Sequence, residues 1–295
     1  MTKILDGAAL AKEIRSEVAE SVLEIKKVHG VTPGLAAVLV GDDPASAVYV
    51  RNKERACEEA GMFSKTFRLP KETTQEEIIT LLNRLNEDES FHGILVQLPL
   101  PDHLNETLTI ETISPIKDAD GIHPFNLGKL MQGIPDFIPG TPAGIQQILL
   151  RNGYDPSGKH VVICGRSNIV GKPLAALLAQ RTDGGNATVT VCHTKTNNLS
   201  ELTAQADILV AAIGQPRAIT SDMVKPGCVI IDVGINRIED SSRKNGYRLV
   251  GDVDFDDVSS LAEAITPVPG GVGPMTIAML LVNTVKAARM QAKVD

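Results

Sequence analysis

The feature that most constrains this chain is an alternation of two patterns. Short aliphatic runs, apolar on both faces, are separated by stretches whose apolar residues recur every three or four positions. The runs fall at residues 35–40, 93–98, 160–164, 187–192, 208–213 and 229–233. Strands buried on both faces have this pattern, and the helices between them cover a parallel sheet on either side. The fold class is therefore α/β. The opening helix has Asp6 as its cap, carries Leu10, Ile14, Val18, Val22 and Ile25, and stops at Gly30. Further helices are expected at 45–60, 74–86, 170–181, 199–206 and 276–292.

A length of 295 residues suits two domains. The Pro- and Gly-rich stretch 115–142 interrupts the alternation and is expected to be the crossing between them. The alternation then restarts, and a glycine-dense loop at 266–275 leads into a long last helix that can return to the first domain. The expected division is residues 1–139 with 273–295, and residues 140–272, each a mainly parallel sheet flanked by helices.

Composition excludes several function classes. With 29 Lys+Arg against 36 Asp+Glu the net charge is −7, which opposes non-specific binding of nucleic acid. Aromatics are 3%, with no Trp, too few for base-stacking platforms. No apolar run approaches the roughly 18–20 residues of a membrane span, and the N-terminus lacks a signal layout, so no membrane partner is expected. Cys57, Cys164, Cys192 and Cys228 are scattered, with no CxxC and no His at zinc spacing. No metal is expected, and a reducing cytoplasm is the natural compartment.

Gly165-Arg-Ser-Asn-Ile-Val-Gly171 lies between a strand run and a helix. Glycine lets the backbone approach a ligand there, and the N–H groups that open a helix favour an anion. Ser167 replaces the middle glycine of the usual dinucleotide pattern, so the turn by itself also suits a ligand-free connection. An NAD site usually places an acid after the second strand to bind the ribose hydroxyls. Here that strand runs into His193-Thr-Lys-Thr196, with no acid, and Arg166 lies in the turn. A cation among donors suits a 2′-phosphate, which makes NADP the expected cofactor unless these are plain surface charges.

Tyr49 and Lys53 stand one helical turn apart. A free lysine amine titrates at about 10.4, so proton transfer needs a desolvated pocket or a cationic neighbour; otherwise Lys53 is a surface lysine. Gln97 interrupts the apolar run Ile94-Leu-Val-Gln-Leu-Pro99. A buried amide there needs partners, either a loop backbone or a ligand at the strand's C-terminal end. Asp118 and Asp120, in Pro115-Ile-Lys-Asp-Ala-Asp-Gly121, are turn carboxylates or acceptors for a donor-rich heterocycle.

Together these segments resemble the bifunctional methylenetetrahydrofolate dehydrogenase/cyclohydrolase family, from about Ile4 to about Arg289. The resemblance rests on Val40-Gly-Asp-Asp-Pro-Ala-Ser46 leading to Tyr49 and Lys53, on Gly93-Ile-Leu-Val-Gln-Leu-Pro-Leu-Pro101, and on Lys117-Asp-Ala-Asp-Gly121. Gly165-Arg-Ser-Asn-Ile-Val-Gly-Lys-Pro173, Ile231-Asp-Val-Gly-Ile-Asn236, Gly251-Asp-Val-Asp-Phe255 and Thr266-Pro-Val-Pro-Gly-Gly-Val-Gly-Pro-Met-Thr276 continue it in the family's order. Gly140 stands where the family usually has cysteine, and Thr194 where it often has serine.

The resemblance implies a folate-binding catalytic domain closed by the C-terminal helix, a Rossmann-like NADP domain inserted in it, a folate cleft separating them, and a homodimer. It implies NADP-dependent oxidation of methylenetetrahydrofolate and hydrolysis of the methenyl product. Lys53 would transfer the proton, Gln97 orient it, Tyr49 pack beside the aminobenzoyl ring and Asp120 hold the pterin. Val96 and Leu98 would flank Gln97 in the folate site, which Pro269, Gly270, Gly271, Val272 and Gly273 line. Gly165, Arg166, Ser167, Thr194 and Ile235 would contact NADP. With the chain stopping at Asp295, no formate-ligase domain is expected. Short-chain dehydrogenases also use Tyr-x-x-x-Lys, but after the nucleotide turn rather than before it. A non-catalytic folate or nucleotide binder of the same fold is the other alternative, which an assay of NADPH formation separates.

Overall fold

The computed structural model describes residues 2–243 and 246–294. Strand β1 (Lys3–Ile4) leads into helix α1 (Gly7–His29). Then come β2 (Gly34–Val40), α2 (Pro44–Glu59), β3 (Phe63–Leu69), α3 (Gln75–Glu87) and β4 (Gly93–Val96). Helices α4 (Glu106–Thr112), α5 (Pro124–Met131) and α6 (Gly140–Arg151) follow. The next stretch holds β5 (His160–Cys164), α7 (Gly171–Leu178), β6 (Thr188–Cys192), α8 (Leu199–Thr203), β7 (Ile208–Ala211) and β8 (Val229–Asp232). Last are β9 (Asn236–Glu239), β10 (Tyr247–Val250), α9 (Phe255–Val258), β11 (Ala264–Ile265) and α10 (Val272–Ala292).

Two compact units divide the chain. The first is Lys12–Gly140 with Ile277–Asp295, and the second is Met1–Ala11 with Thr141–Thr276. The first eleven residues, expected in the first domain, go with the second unit, where β1 pairs in parallel with β11.

The first unit is built on a parallel sheet of order β3-β2-β4. β2 is buried along its whole length, as its aliphatic run requires. β3 has no counterpart among the aliphatic runs: it is an edge strand, half-exposed on both faces, and Lys65 and Arg68 break any apolar run. Helix α3 starts at a capping box, with Thr74 and Glu77 bonding each other's backbone. Its Ile78, Leu81, Leu82 and Leu85 form one buried stripe, each side chain adding about 1.5–3 kcal/mol of hydrophobic stabilisation. They pack with Ala36, Val38, Ile94 and Val96 of the sheet.

The stretch 115–142 is not a plain loop. Pro124 opens α5, where its missing N–H costs nothing, and His123 Nδ1 accepts from Phe125 N at 3.0 Å. Asn126 and Leu130 anchor that helix inward, and α6 begins at Gly140.

The second unit holds a six-stranded, all-parallel sheet of order β1-β11-β8-β7-β5-β6. After β5 the chain adds β6 on one side, then crosses to β7 on the other. The strand order therefore reverses between β5 and β7, and open sheets bind ligands outside the carboxyl ends of the strands at such a point. Val162, Leu209 and Ile230 lie in its core with Ala206, Ile219 and Val258. A hairpin of β9 and β10, absent from the sequence expectation, hangs beyond β8.

Candidate active site

In the first unit, Asp43 caps α2 by accepting from Ser46 N at 2.7 Å, with Pro44 in the opening turn. That fixes where the helix begins and so where Tyr49 and Lys53 fall. Gln97 follows the end of β4, its backbone N bonded to Val38 O of β2 at 2.8 Å. There the Lys53 Nζ donates to Gln97 Oε1 at 3.2 Å, while Gln97 Nε2 donates to Leu98 O at 2.8 Å. The chain thus holds the amide nitrogen and leaves the amide oxygen for the amine. Lys53 is 8% exposed and has no salt bridge among the described residues. An amine whose protein acceptor is a neutral amide keeps donors for water or a substrate. Tyr49 is 39% exposed, Val96 is buried and Leu98 is half-buried. One turn beyond Lys53, burial pushes the Cys57 thiol up to about 12, which makes it inert packing.

The loop carrying Asp120 is pinned from both sides. Asp118, 1% exposed, accepts from Ile122 N at 3.2 Å, His123 N at 2.8 Å and Asn126 Nδ2 at 2.8 Å. Burial pushes this carboxyl above its usual range, against the pull of those donors. Asn283 on α10 donates to Ala119 O and Ile138 O at 3.0 and 2.9 Å. Asp120 itself is half-buried, and its carboxylate receives no hydrogen bond among the described residues. The structure brings Lys53 and Gln97 into contact; among the described residues neither Tyr49 nor Asp120 is hydrogen-bonded to that pair.

In the second unit, β5 runs into Gly165, at φ +143°. A Cβ there would overlap the carbonyl oxygen of Ala212, and one at Gly171 would overlap that of Gly165. Both positions need glycine, because backbone packs directly on backbone in this tight cradle between a strand end and a helix start. Ser167 Oγ accepts from Val170 N at 3.1 Å, and Arg166, Ser167 and Thr194 are exposed. The segment after β6 is held by His193 N donating to Thr196 Oγ1 at 2.8 Å and carries no acid. The cradle and this basic corner fit a phosphorylated dinucleotide.

Ile235, 45% exposed, follows β8, and its Cδ1 lies 3.6 Å from where a Gly273 Cβ would stand. Gly270 O accepts from Ala8 N at 2.8 Å, which ties the loop at 269–271 to the start of α1. Val272 and Gly273 already belong to α10, which starts four residues before the expected 276 because the turn closes at Gly271. A cavity of about 750 Å³ beside the hairpin is lined by Arg217, Asp232, Tyr247 and Pro269, so of the site residues above it holds Pro269. Among the described residues no His, Cys, Asp and Glu cluster could hold a metal, and no helix is long and apolar enough to cross a membrane.

Two family models match the chain. The tetrahydrofolate dehydrogenase/cyclohydrolase catalytic domain matches residues 5–120, and the NAD(P)-binding domain of the same name matches residues 139–292. The chain belongs to this family. The bifunctional protein FolD of Prosthecochloris aestuarii is 55% identical over 286 residues, covering 96% of this chain and 97% of its own. The crystal structure of the Campylobacter jejuni bifunctional enzyme FolD has a TM-score of 0.92 at 49% identity, over 99% of this chain and 100% of that one. The Trypanosoma brucei FolD, complexed with NADP cofactor and inhibitor, has a TM-score of 0.93 at 40% identity, over 99% of each chain.

Against the family pattern, the local sequence gives little warning of Asn283 or of the depth of Asp118. Asn283 interrupts an apolar helix face, and a buried amide on such a face is the signal that could have found it.

Proposed function

We infer that the chain is a bifunctional enzyme of one-carbon folate metabolism. It is an NADP-dependent methylenetetrahydrofolate dehydrogenase and a methenyltetrahydrofolate cyclohydrolase. Methylenetetrahydrofolate and NADP+ give the methenyl cation and NADPH; water then converts the cation to 10-formyltetrahydrofolate and releases a proton. NADP, when bound, supplies the hydride acceptor. We assign its binding to Gly165, Arg166, Ser167, Thr194 and Ile235, supported by the glycine cradle and the missing acid after β6.

Oxidation asks the protein mainly for positioning. Tyr49, Val96, Leu98, Asp120 and residues 269–273 take that part, Asp120 with an acceptor carboxylate that its loop leaves unused. Hydrolysis asks for a proton to be moved, because the attacking water loses one and the departing ring nitrogen gains one. Lys53 Nζ is the group for that step, and Gln97 Oε1 sets its direction.

The observation that carries this reading is the buried Lys53 amine on a neutral amide at the carboxyl end of a parallel sheet. The test is an assay with methylenetetrahydrofolate and NADP, following NADPH and then the decay of methenyl absorbance. No NADPH removes the first activity, and decay at the enzyme-free rate removes the second. A homodimer in the cytoplasm completes the proposal. The four buried, free cysteines support a reducing compartment, and sedimentation tests the dimer.

A further inference from the structure

Strand order places a ligand crevice outside the ends of β5 and β7, which continue into Gly165 and into Ala212, Ile213 and Gly214. Behind that crevice is a carboxylate the reaction does not use. Asp252 is 0% exposed, and one of its oxygens accepts from Ile213 N at 2.6 Å and Gly214 N at 2.9 Å. The other accepts from Asn236 Nδ2 at 2.8 Å, beside Ile235. All three donors are neutral. One side chain therefore ties the loop after β7 to the first residue of β9.

Asp252 is itself fixed. Its backbone N donates to Asp232 Oδ1 at 2.9 Å, and Asp232 also accepts from Gly234 N and Val253 N. A Cβ at Gly234 would overlap Asp252 Oδ1, and a Cβ at Gly251 would overlap Asp232 Oδ2. Two glycines thus make room for the two carboxylates.

The orientation has a consequence for the ligand. In a trans peptide the carbonyl points opposite to the N–H. With the amides of Ile213 and Gly214 drawn to Asp252, the carbonyls of Ala212 and Ile213 face away from it. Ala212 O accordingly occupies the space a Gly165 side chain would need. Ala212 O is thus packed onto Gly165, and Ile213 O is the acceptor left for the hydroxyl or carboxamide donors of a dinucleotide.

We propose that Asp252 is a positioning residue for the cofactor, holding the loop after β7 to the start of β9 so that the backbone beside Gly165 keeps the shape the dinucleotide needs. The inference rests on reading this unit as the NADP-binding one.

The test uses the full chain with Asp252→Ala and Asp252→Asn. Calorimetric titration with NADP comes first, then KM and kcat for both activities. Hydrolysis of methenyltetrahydrofolate needs no cofactor and reports folding of the rest. Asp252→Ala is expected to weaken NADP by about 10-fold or more, with cyclohydrolase rates within about 2-fold of wild type. Asp252→Asn keeps the volume and one oxygen for the two amides but sets an amide nitrogen against the Asn236 Nδ2 donor, so it is expected to lie between Asp252→Ala and wild type, about 3-fold weaker than wild type. If Asp252→Ala does not fold, a drop of about 3-fold or more in NADP affinity for Asp252→Asn still supports the inference, and wild-type affinity overturns it. Equal loss of both activities also overturns it. A wild-type chain that binds no NADP overturns the underlying reading as well.

Discussion

Lys53→Met separates chemistry from stability with two magnitudes worked from the structure. Methionine keeps the buried stem and removes the amine, so Gln97 Oε1 loses its donor at 3.2 Å. A polar group stripped of its partner costs about 1–3 kcal/mol when water cannot replace it, and the half-buried Gln97 belongs near about 1. In a protein of this size that shifts Tm by about 2–4 °C. Loss of a placed proton-transfer group instead lowers a rate by about 10²–10⁴, equivalent to about 3–5 kcal/mol of barrier. Cyclohydrolase activity should therefore collapse in a folded protein, while hydride transfer survives at a reduced rate. The assay is NADPH formation beside decay of methenyl absorbance, with Tm recorded on the same sample. Cyclohydrolase turnover near the wild-type rate, or loss of folate binding together with both activities, refutes the assignment.

Other substitutions follow from the same geometry. Arg166→Ala should weaken NADP by about 1.5–3 kcal/mol, the range for a hydrogen bond to a charged group; an unchanged titration would remove Arg166 from the site. Gly165→Ala forces a side chain into a left-handed φ and against Ala212, at about 1–3 kcal/mol of strain. Urea denaturation should show that loss and NADP titration a weaker complex; tolerance on both counts would contradict the cradle. Burial raises the Asp232 carboxyl from 3.8 to about 6. Its folded pKa exceeds the unfolded one, so its stabilising protonation is complete below about 3.8 and is lost as pH rises through about 6. Roughly 3 kcal/mol rides on that window, and Asp232→Asn should flatten stability against pH between about 4 and about 6. An unaltered slope would place the titration elsewhere.

How much was legible in the sequence depended on burial. β2, β4, β5, β7 and β8 are buried along most or all of their length, so their aliphatic runs marked them. The edge strand β3 and the hairpin of β9 and β10 mix exposed charges with partly covered apolar residues, and no local pattern distinguishes them from loop. The stretch 115–142 does hold the crossing between the units, but its prolines conceal a helix, because at the first turn of α5 proline starts a helix instead of stopping one. The pairing of Lys53 with Gln97 joins residues far apart in sequence and was reached by resemblance; spacing alone supplied Tyr49 and Lys53 as one helical face. Asp252 falls in the segment Gly251-Asp-Val-Asp-Phe255, but no role follows from that segment, since its role lies in which amides fold onto it.

The contacts of Asn283 bear on how this protein is made. Its donors complete the carbonyls of Ala119 and Ile138, Gln291 does the same for His92, and Thr284 fits against Gly93, all within one unit. On the ribosome, residues 141–276 emerge between the two parts of that unit, a delay of roughly 7–27 s at about 5–20 residues per second. Throughout that interval the nascent sheet stands with a bare apolar flank, so chaperones gain a window on every copy synthesised. A message cut short in its last codons would release a product with both sheets formed but the first lacking part of its closing helix.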